Sequence, residues 1–137
     1  STDYYLYNHE TGSDDGSTSP SSPISAYIES SQFDIGEGDQ FSFVNRVIPD
    51  LTFRDSTATA PSVNMVLKSR NYPGGNFTNT DSSAVTRSAT VPVEQFTQEA
   101  NVRLRGRSMT LKVDSTATGV AWRLGSPRID VRPDGRR

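Results

Sequence analysis

The sequence predicts an all-β protein, an antiparallel β-sandwich with jelly-roll character, built from seven or eight short strands behind an extended N-terminal arm. Three observations carry this. Short runs alternate apolar and polar residues with period two, which gives a strand one buried and one wet face. Gly and Pro punctuate the runs, Gly supplying positive φ and Pro presetting φ in turns. Only 32% of residues are hydrophobic, against 10 Gly and 8 Pro. That balance suits many strands joined by polar turns better than it suits helices.

Residues 1–23 read as an arm. Tyr4, Tyr5, Leu6 and Tyr7 suit a short strand or an anchor, and Gly12 to Pro23 is a polar, Pro-broken linker. An aromatic anchor ahead of a loose linker suits docking on a neighbouring domain or subunit. Residues 24–137 form the sandwich domain.

Within that domain the elements follow in order. Ile24, Ala26 and Ile28 share one face of a first strand. Phe41 to Ile48 forms the next, with Phe41 and Phe43 inward. Val63, Met65 and Leu67 alternate with Asn64, Val66 and Lys68. The pattern weakens between Val85 and Val93, and Val93 to Ala100 has room for a single helical turn. Val102 and Leu104 point in while Arg103 and Arg105 point out. Met109, Leu111 and Val113 repeat the pattern. Val120, Trp122 and Leu124 close it, which puts Trp122 in the core, and Ile129 and Val131 extend the last strand past Pro127. Turns are expected at Asp34 to Asp39, Asn71 to Asn76 and Thr118-Gly119, and Arg105-Gly106-Arg107 reads as a tight hairpin.

At 137 residues the chain is one domain by size, able to bury roughly two-thirds of its unfolded surface. It has no cysteine, which excludes a disulfide-stabilised module. No apolar run approaches a membrane span, and no signal peptide is visible. Ser1 in place of an initiator methionine leaves two expectations open: a processed chain, or the C-terminal piece of a longer polypeptide.

Charge is split along the chain. Residues 1–60 carry ten acidic and two basic side chains, a balance of −8, and residues 101–137 carry nine basic and three acidic, a balance of +6. Such polarity suits internal pairing of the two ends, head-to-tail contact between subunits, or simply two solvated faces.

Candidate chemistry is sparse. The single histidine, His9, lies in the arm, and no G-x-S-x-G elbow, phosphate loop or dinucleotide fingerprint is present. With no cysteine and one histidine, soft metal ligands are lacking. Asp34-Ile-Gly-Glu-Gly-Asp39 crowds carboxylates without the spacing of a calcium loop, so it reads as an acidic connection. No cofactor is expected, and the chain is not expected to be an enzyme.

The arginines carry the functional reading. They outnumber lysine twelve to two, and five of the twelve lie in Trp122 to Arg137. Arg103, Arg105 and Arg107 are expected along one side of a hairpin, Arg123, Arg128 and Arg132 along a nearby strand, and Arg136 and Arg137 free at the end. Phosphate contact with nucleic acid is one use of such residues. A sequence pI near 5.3 and few aromatics for base stacking weigh against it. Subunit contact through fixed, bidentate pairs is favoured, with Tyr4, Tyr5 and Tyr7 as further contact residues.

Several segments resemble a known group of proteins: Tyr4-Tyr-Leu-Tyr-Asn-His9, Ala26 to Asp39, Phe43-Val-Asn-Arg-Val-Ile-Pro-Asp-Leu-Thr-Phe53, Leu67 to Gly75, Arg103-Leu-Arg-Gly-Arg-Ser108 and Trp122-Arg-Leu-Gly-Ser-Pro-Arg-Ile-Asp-Val-Arg-Pro-Asp-Gly-Arg-Arg137. Together they resemble the C-terminal region of virion structural proteins of tailed bacteriophages, mostly short-tailed ones. The ending is similar to that of tail nozzle or packaged-DNA stabilisation proteins. The resemblance implies a virion component of the tail or head–tail junction, forming a ring with copies of itself, often six, and with other virion proteins around the DNA channel. Non-specific contact with DNA in the channel is compatible with it, and it implies no catalytic residues. The alternative is a host-receptor or carbohydrate-binding sandwich of a tail tip or fibre, for which Tyr27, Tyr72 and Phe77 are the candidate aromatic platform.

Overall fold

The computed structural model describes residues 12–17, 19–35, 39–72 and 87–135. Tyr4, Tyr5, Tyr7, His9, Phe77, Val85, Arg136 and Arg137, and the expectations attached to them, lie outside these residues.

All regular structure among the described residues is β. The strands are β1 (Asp14–Asp15), β2 (Ser22–Pro23), β3 (Ala26–Glu29), β4 (Phe33–Asp34), β5 (Ser42–Ile48), β6 (Leu51–Thr52), β7 (Ser62–Arg70), β8 (Arg87–Glu94), β9 (Ala100–Gly106), β10 (Ser108–Ser115), β11 (Arg123–Leu124) and β12 (Arg128–Pro133). Seven of them have four residues or more. One sheet runs β3-β10-β7-β8, with β4 also on β10, and the other runs β12-β5-β9. Every pairing is antiparallel, and β6–β11 and β1–β2 form small ribbons.

Among the seven longer strands, the chain changes sheet at each step except the β7–β8 hairpin. This is the strand order of an eight-stranded jelly roll from its second strand to its last. The place of the first strand, beside β12 and opposite β3, holds no strand among the described residues.

The core lies between the two sheets. Val63, Met65 and Leu67 of β7 face Val44 and Val47 of β5 and Val102 and Leu104 of β9, joined by Val93, Met109 and Val113. Met65, Leu67 and Met109 are fully buried, and each such side chain contributes about 1.5–3 kcal/mol of transfer free energy. The alternation expected for β7, β9 and β10 is therefore the observed one.

Elsewhere the structure corrects the sequence reading. Neither phenylalanine expected inward joins the core: Phe41, just before β5, is buried beneath Arg105 and Arg107, Phe43 is half-buried, and Val44 points inward instead. Against β12, Asn45 is an extra residue, because Val44 and Arg46 oppose the consecutive pair Val131 and Asp130. This bulge breaks the period of two, so Val44 and Val47, three apart, both reach the core. Strand β3 is exposed throughout, with Ile28 half in solvent like Ile24 just before it; among the described residues it is an edge strand paired only with β10.

Arg105-Gly106-Arg107 is not a hairpin, since β9 and β10 belong to different sheets. Gly106 carries the crossing: a Cβ there would lie 2.7 Å from the Ser69 Cβ, so only glycine lets the chain pass so close to β7. The Arg107 amide donates to the Arg70 carbonyl at 3.0 Å, and the Ser69 hydroxyl donates to the Arg105 carbonyl at 2.9 Å. Val93 to Ala100 makes a β-turn, not a helical one, closed by the Thr97 amide on the Glu94 carbonyl at 3.1 Å. Trp122 sits at the margin of the core, half-buried, its indole N–H donating to the Ser115 hydroxyl at 2.9 Å.

Two long connections meet at one end of the sandwich. Gly119, at φ 72°, accepts the Thr57 and Ala58 amides on its carbonyl at 2.9 and 3.0 Å. Its own amide donates to the Asp14 carboxylate at 2.8 Å, pinning the β1–β2 ribbon to this end. The neighbouring Asp15 carboxyl is held below its ordinary value by the Ser17 side chain and amide.

Candidate functional site

The outer face of the three-stranded sheet gathers most of the described candidate arginines. The ladder sets Arg132, Phe43 and Arg105 in one row across β12, β5 and β9. The next row is Asp130, Arg46 and Asn101, and Arg128 lies beside Ile48 beyond it. Arg103 stands between the rows, lining a shallow open groove with Phe43, Asn45 and Asn101. The antiparallel register produces this: every outward position of β12 and β9 is a polar or charged residue, and pairing places them side by side.

These arginines differ in what they touch. Arg46 reaches Glu99 at 3.1 Å and Asp130 at 3.4 Å. Both partners are largely solvated, so such pairs contribute about 0.2–1 kcal/mol each. The Arg105 guanidinium lies 3.9 Å from the Phe41 ring centroid, pairs through Nε with the Asp134 carboxylate and donates through Nη2 to the Asp134 carbonyl at 3.1 Å. Phe41 exchanges backbone bonds with the same tail: its amide donates to the Gly135 carbonyl at 2.7 Å and its carbonyl accepts the Asp134 amide at 2.8 Å. Arg105 thus holds the end of β12 against β5.

Arg107 lies over the same Phe41 ring at 4.4 Å and donates to the Asn71 carbonyl at 3.1 Å, at the crossing between the sheets. Arg123 is on β11, away from this face, beside Leu51, Phe53, Arg54 and Gln95. Arg103, Arg128 and Arg132 are exposed and make no ion pair among the described residues. Three guanidinium groups on one sheet face, without an ion pair among the described residues, can take carboxylates or phosphates from a partner surface in bidentate fashion.

Two features of the surface escaped the sequence reading. Arg46 belongs to the arginine face, because the Asn45 bulge turns it outward. Phe96 is 88% exposed at the tip of the Glu94–Thr97 turn; its place in a polar stretch, Gln95-Phe96-Thr97-Gln98, was the only available sign.

Of the candidate aromatic platform, Tyr27 and Tyr72 are described, and the two lie apart. Tyr27 is 66% exposed on the outer face of the larger sheet, with the Lys112 ammonium 5.0 Å from its ring centroid. It lies in register with Asp114 and Asn64, whereas Tyr72 follows Arg70 at the other end of β7. Among the described residues no group of three or more His, Asp or Glu side chains is placed to hold a metal ion, and no helix is long and apolar enough to cross a membrane. No protein-family model matches the chain, and no curated protein matches it.

Proposed function

We propose that this chain is a structural assembly module of a bacteriophage tail, nozzle or head–tail junction, and that it acts by packing against copies of itself around the DNA channel. The observation that carries the reading is the arginine face: Arg103, Arg128 and Arg132 lie exposed on one side of the β12-β5-β9 sheet with no ion pair among the described residues. Opposite charge is available within the chain, since residues 1–60 balance at −8. A positive face and a negative region at different places on one subunit make a heterologous contact, which closes into a ring when the rotation allows.

Contact with protein is favoured over contact with nucleic acid. Asp130 and Glu99 interrupt the arginine rows, whereas a nucleic-acid face presents an unbroken basic stripe. The resemblance of the terminal segment to phage tail proteins supplies the biological setting. Cryo-microscopy of intact particles tests the proposal: density for this sandwich in the tail or head–tail junction supports it, and its absence from that region rejects it.

A further inference from the structure

We propose that the arginine face receives the Glu94–Thr97 turn of a second copy, with Phe96 seated in the groove lined by Phe43, Asn45, Asn101 and Arg103. The inference rests on the assembly reading and names the element of the neighbouring copy that this face takes.

The groove lies where both ladders of β5 slip. Val44 and Arg46 oppose the consecutive residues Val131 and Asp130 of β12, so Asn45 is extra on that side. Against β9 the same two residues oppose Leu104 and Asn101, and Val102 and Arg103 stand between. The slips lie side by side, and bulges of this kind bend a strand and re-aim its side chains. Beside them is an open groove of about 510 Å³, lined by Phe43, Asn45, Asn101, Val102 and Arg103. It offers a half-buried aromatic ring, two side-chain amides and, on Arg103, an exposed guanidinium with no ion pair among the described residues.

The turn supplies the matching half. Phe96 is 88% exposed, more than any other large hydrophobic among the described residues. It is not carried on a loose loop. The Thr97 amide donates to the Glu94 carbonyl at 3.1 Å and the Glu94 amide donates to the Thr97 hydroxyl at 3.0 Å. Val93 and Ala100 on either side are buried. A ring held out on a closed turn loses little freedom on docking, and a pair of aromatic rings adds to its burial.

Charge selects the same partner. Glu94, two residues before Phe96, is exposed and makes no ion pair among the described residues. It is the acid that an inserted turn brings toward Arg103. The turn joins β8, at the edge of one sheet, to β9, at the edge of the other, so it lies on a side of the sandwich, whereas the groove lies on a face. A side that meets a face is a heterologous contact, and such a contact repeats from copy to copy.

Self-association of the full chain is measured by analytical ultracentrifugation, with thermal unfolding as the check on each fold. Phe96→Ser should weaken association at least about tenfold and leave Tm unchanged, because the ring is outside the core. Glu94→Arg and Arg103→Glu should each weaken it about tenfold, and both together in one chain should restore it to within about threefold of the parent. An equimolar mixture of Phe96→Ser and Arg103→Glu contains one sound groove and one sound turn, so it should form pairs that neither variant forms alone, and stop there. Association that falls on reversing Arg128 and Arg132 but is unmoved by the Phe96, Glu94 and Arg103 variants would overturn this contact and leave the assembly reading standing. A parent that stays monomeric at every concentration would overturn both. Amide shifts at Phe43, Asn101 and Arg103 on adding a uronate oligosaccharide, with association unmoved by Phe96→Ser, would give the groove to a saccharide and overturn the contact too.

Discussion

Asp50 and Ser126 are joined by a hydrogen bond from the Ser126 amide to the Asp50 carboxylate at 2.8 Å. The Asp50 carbonyl also takes the Gly125 amide at 2.7 Å. Two segments far apart in sequence, Pro49 to Thr52 and Arg123 to Ser126, are thereby clasped beside the β6–β11 ribbon. A side chain at Gly125 would run into the Asp50 carboxylate. Asp50→Ala should therefore cost about 1–2 kcal/mol, the value of a hydrogen bond to a charged acceptor. Gly125→Ala should cost a similar amount, because the new methyl displaces the same carboxylate. Urea denaturation of both single variants and the double checks this: the double variant should lose clearly less than the sum, as coupled neighbours do.

Arg105 and Arg103 are two residues apart on β9 and both point outward, yet they should behave differently. Arg105 lies on Phe41 and grips Asp134, whereas Arg103 is solvated and makes no ion pair among the described residues. Arg105→Ala should lower stability by about 1–2 kcal/mol through the lost cation–π contact and the loosened end of β12. Arg103→Ala should stay within about 0.5 kcal/mol of the parent. Thermal unfolding of the two variants separates them.

Gly119 is required by its conformation and by its surroundings. Its φ of 72° is the left-handed region, and a Cβ would lie 2.7 Å from the Thr57 hydroxyl. Gly119→Ala should cost about 1–2 kcal/mol in backbone strain alone, with more from the displaced Thr57. Gly135, also at positive φ, has nothing within 4 Å of such a Cβ, so Gly135→Ala should show the backbone cost without the steric one.

These cases show what the sequence makes legible. Val63, Met65 and Leu67, and Val102 and Leu104, obey a strict period of two, and their strands could be read directly. Phe43 could not, because the Asn45 bulge is set by pairing with β12, more than eighty residues away. The sequence Arg105-Gly106-Arg107 is equally compatible with a hairpin and with a sheet crossing. The contact of Gly106 with Ser69 decides between them, and a single strand carries no trace of that contact. Ile28 alternates as an inner-face residue should, and it is one, in register with buried Val113; its exposure goes with the place of β3 at the sheet edge among the described residues. The arginine face was half legible for the same reason: residue types were visible, but the register that sets Arg132 beside Phe43 and Arg105 was not.

The assembly proposal makes a prediction about Arg128 and Arg132. Both are exposed, both lie on the outer face of β12, and neither makes an ion pair among the described residues. Reversing both charges, Arg128→Glu with Arg132→Glu, should leave the isolated fold within about 1 kcal/mol of the parent, since exposed substitutions away from packed features cost little. The same change places two carboxylates where a partner's acidic groups are to dock, and like charges in contact oppose association. Self-association measured by analytical ultracentrifugation should weaken at least tenfold. In the parent it should also weaken with salt, because screening shortens from about 8 Å at 0.15 M to about 3 Å at 1 M. Arg46→Glu is the internal comparison: it breaks the pairs with Glu99 and Asp130, so it should reduce stability as well as association. Loss of the monomer fold in the Arg128/Arg132 variant, or association untouched by charge reversal and by salt, would remove these two arginines from the assembly surface.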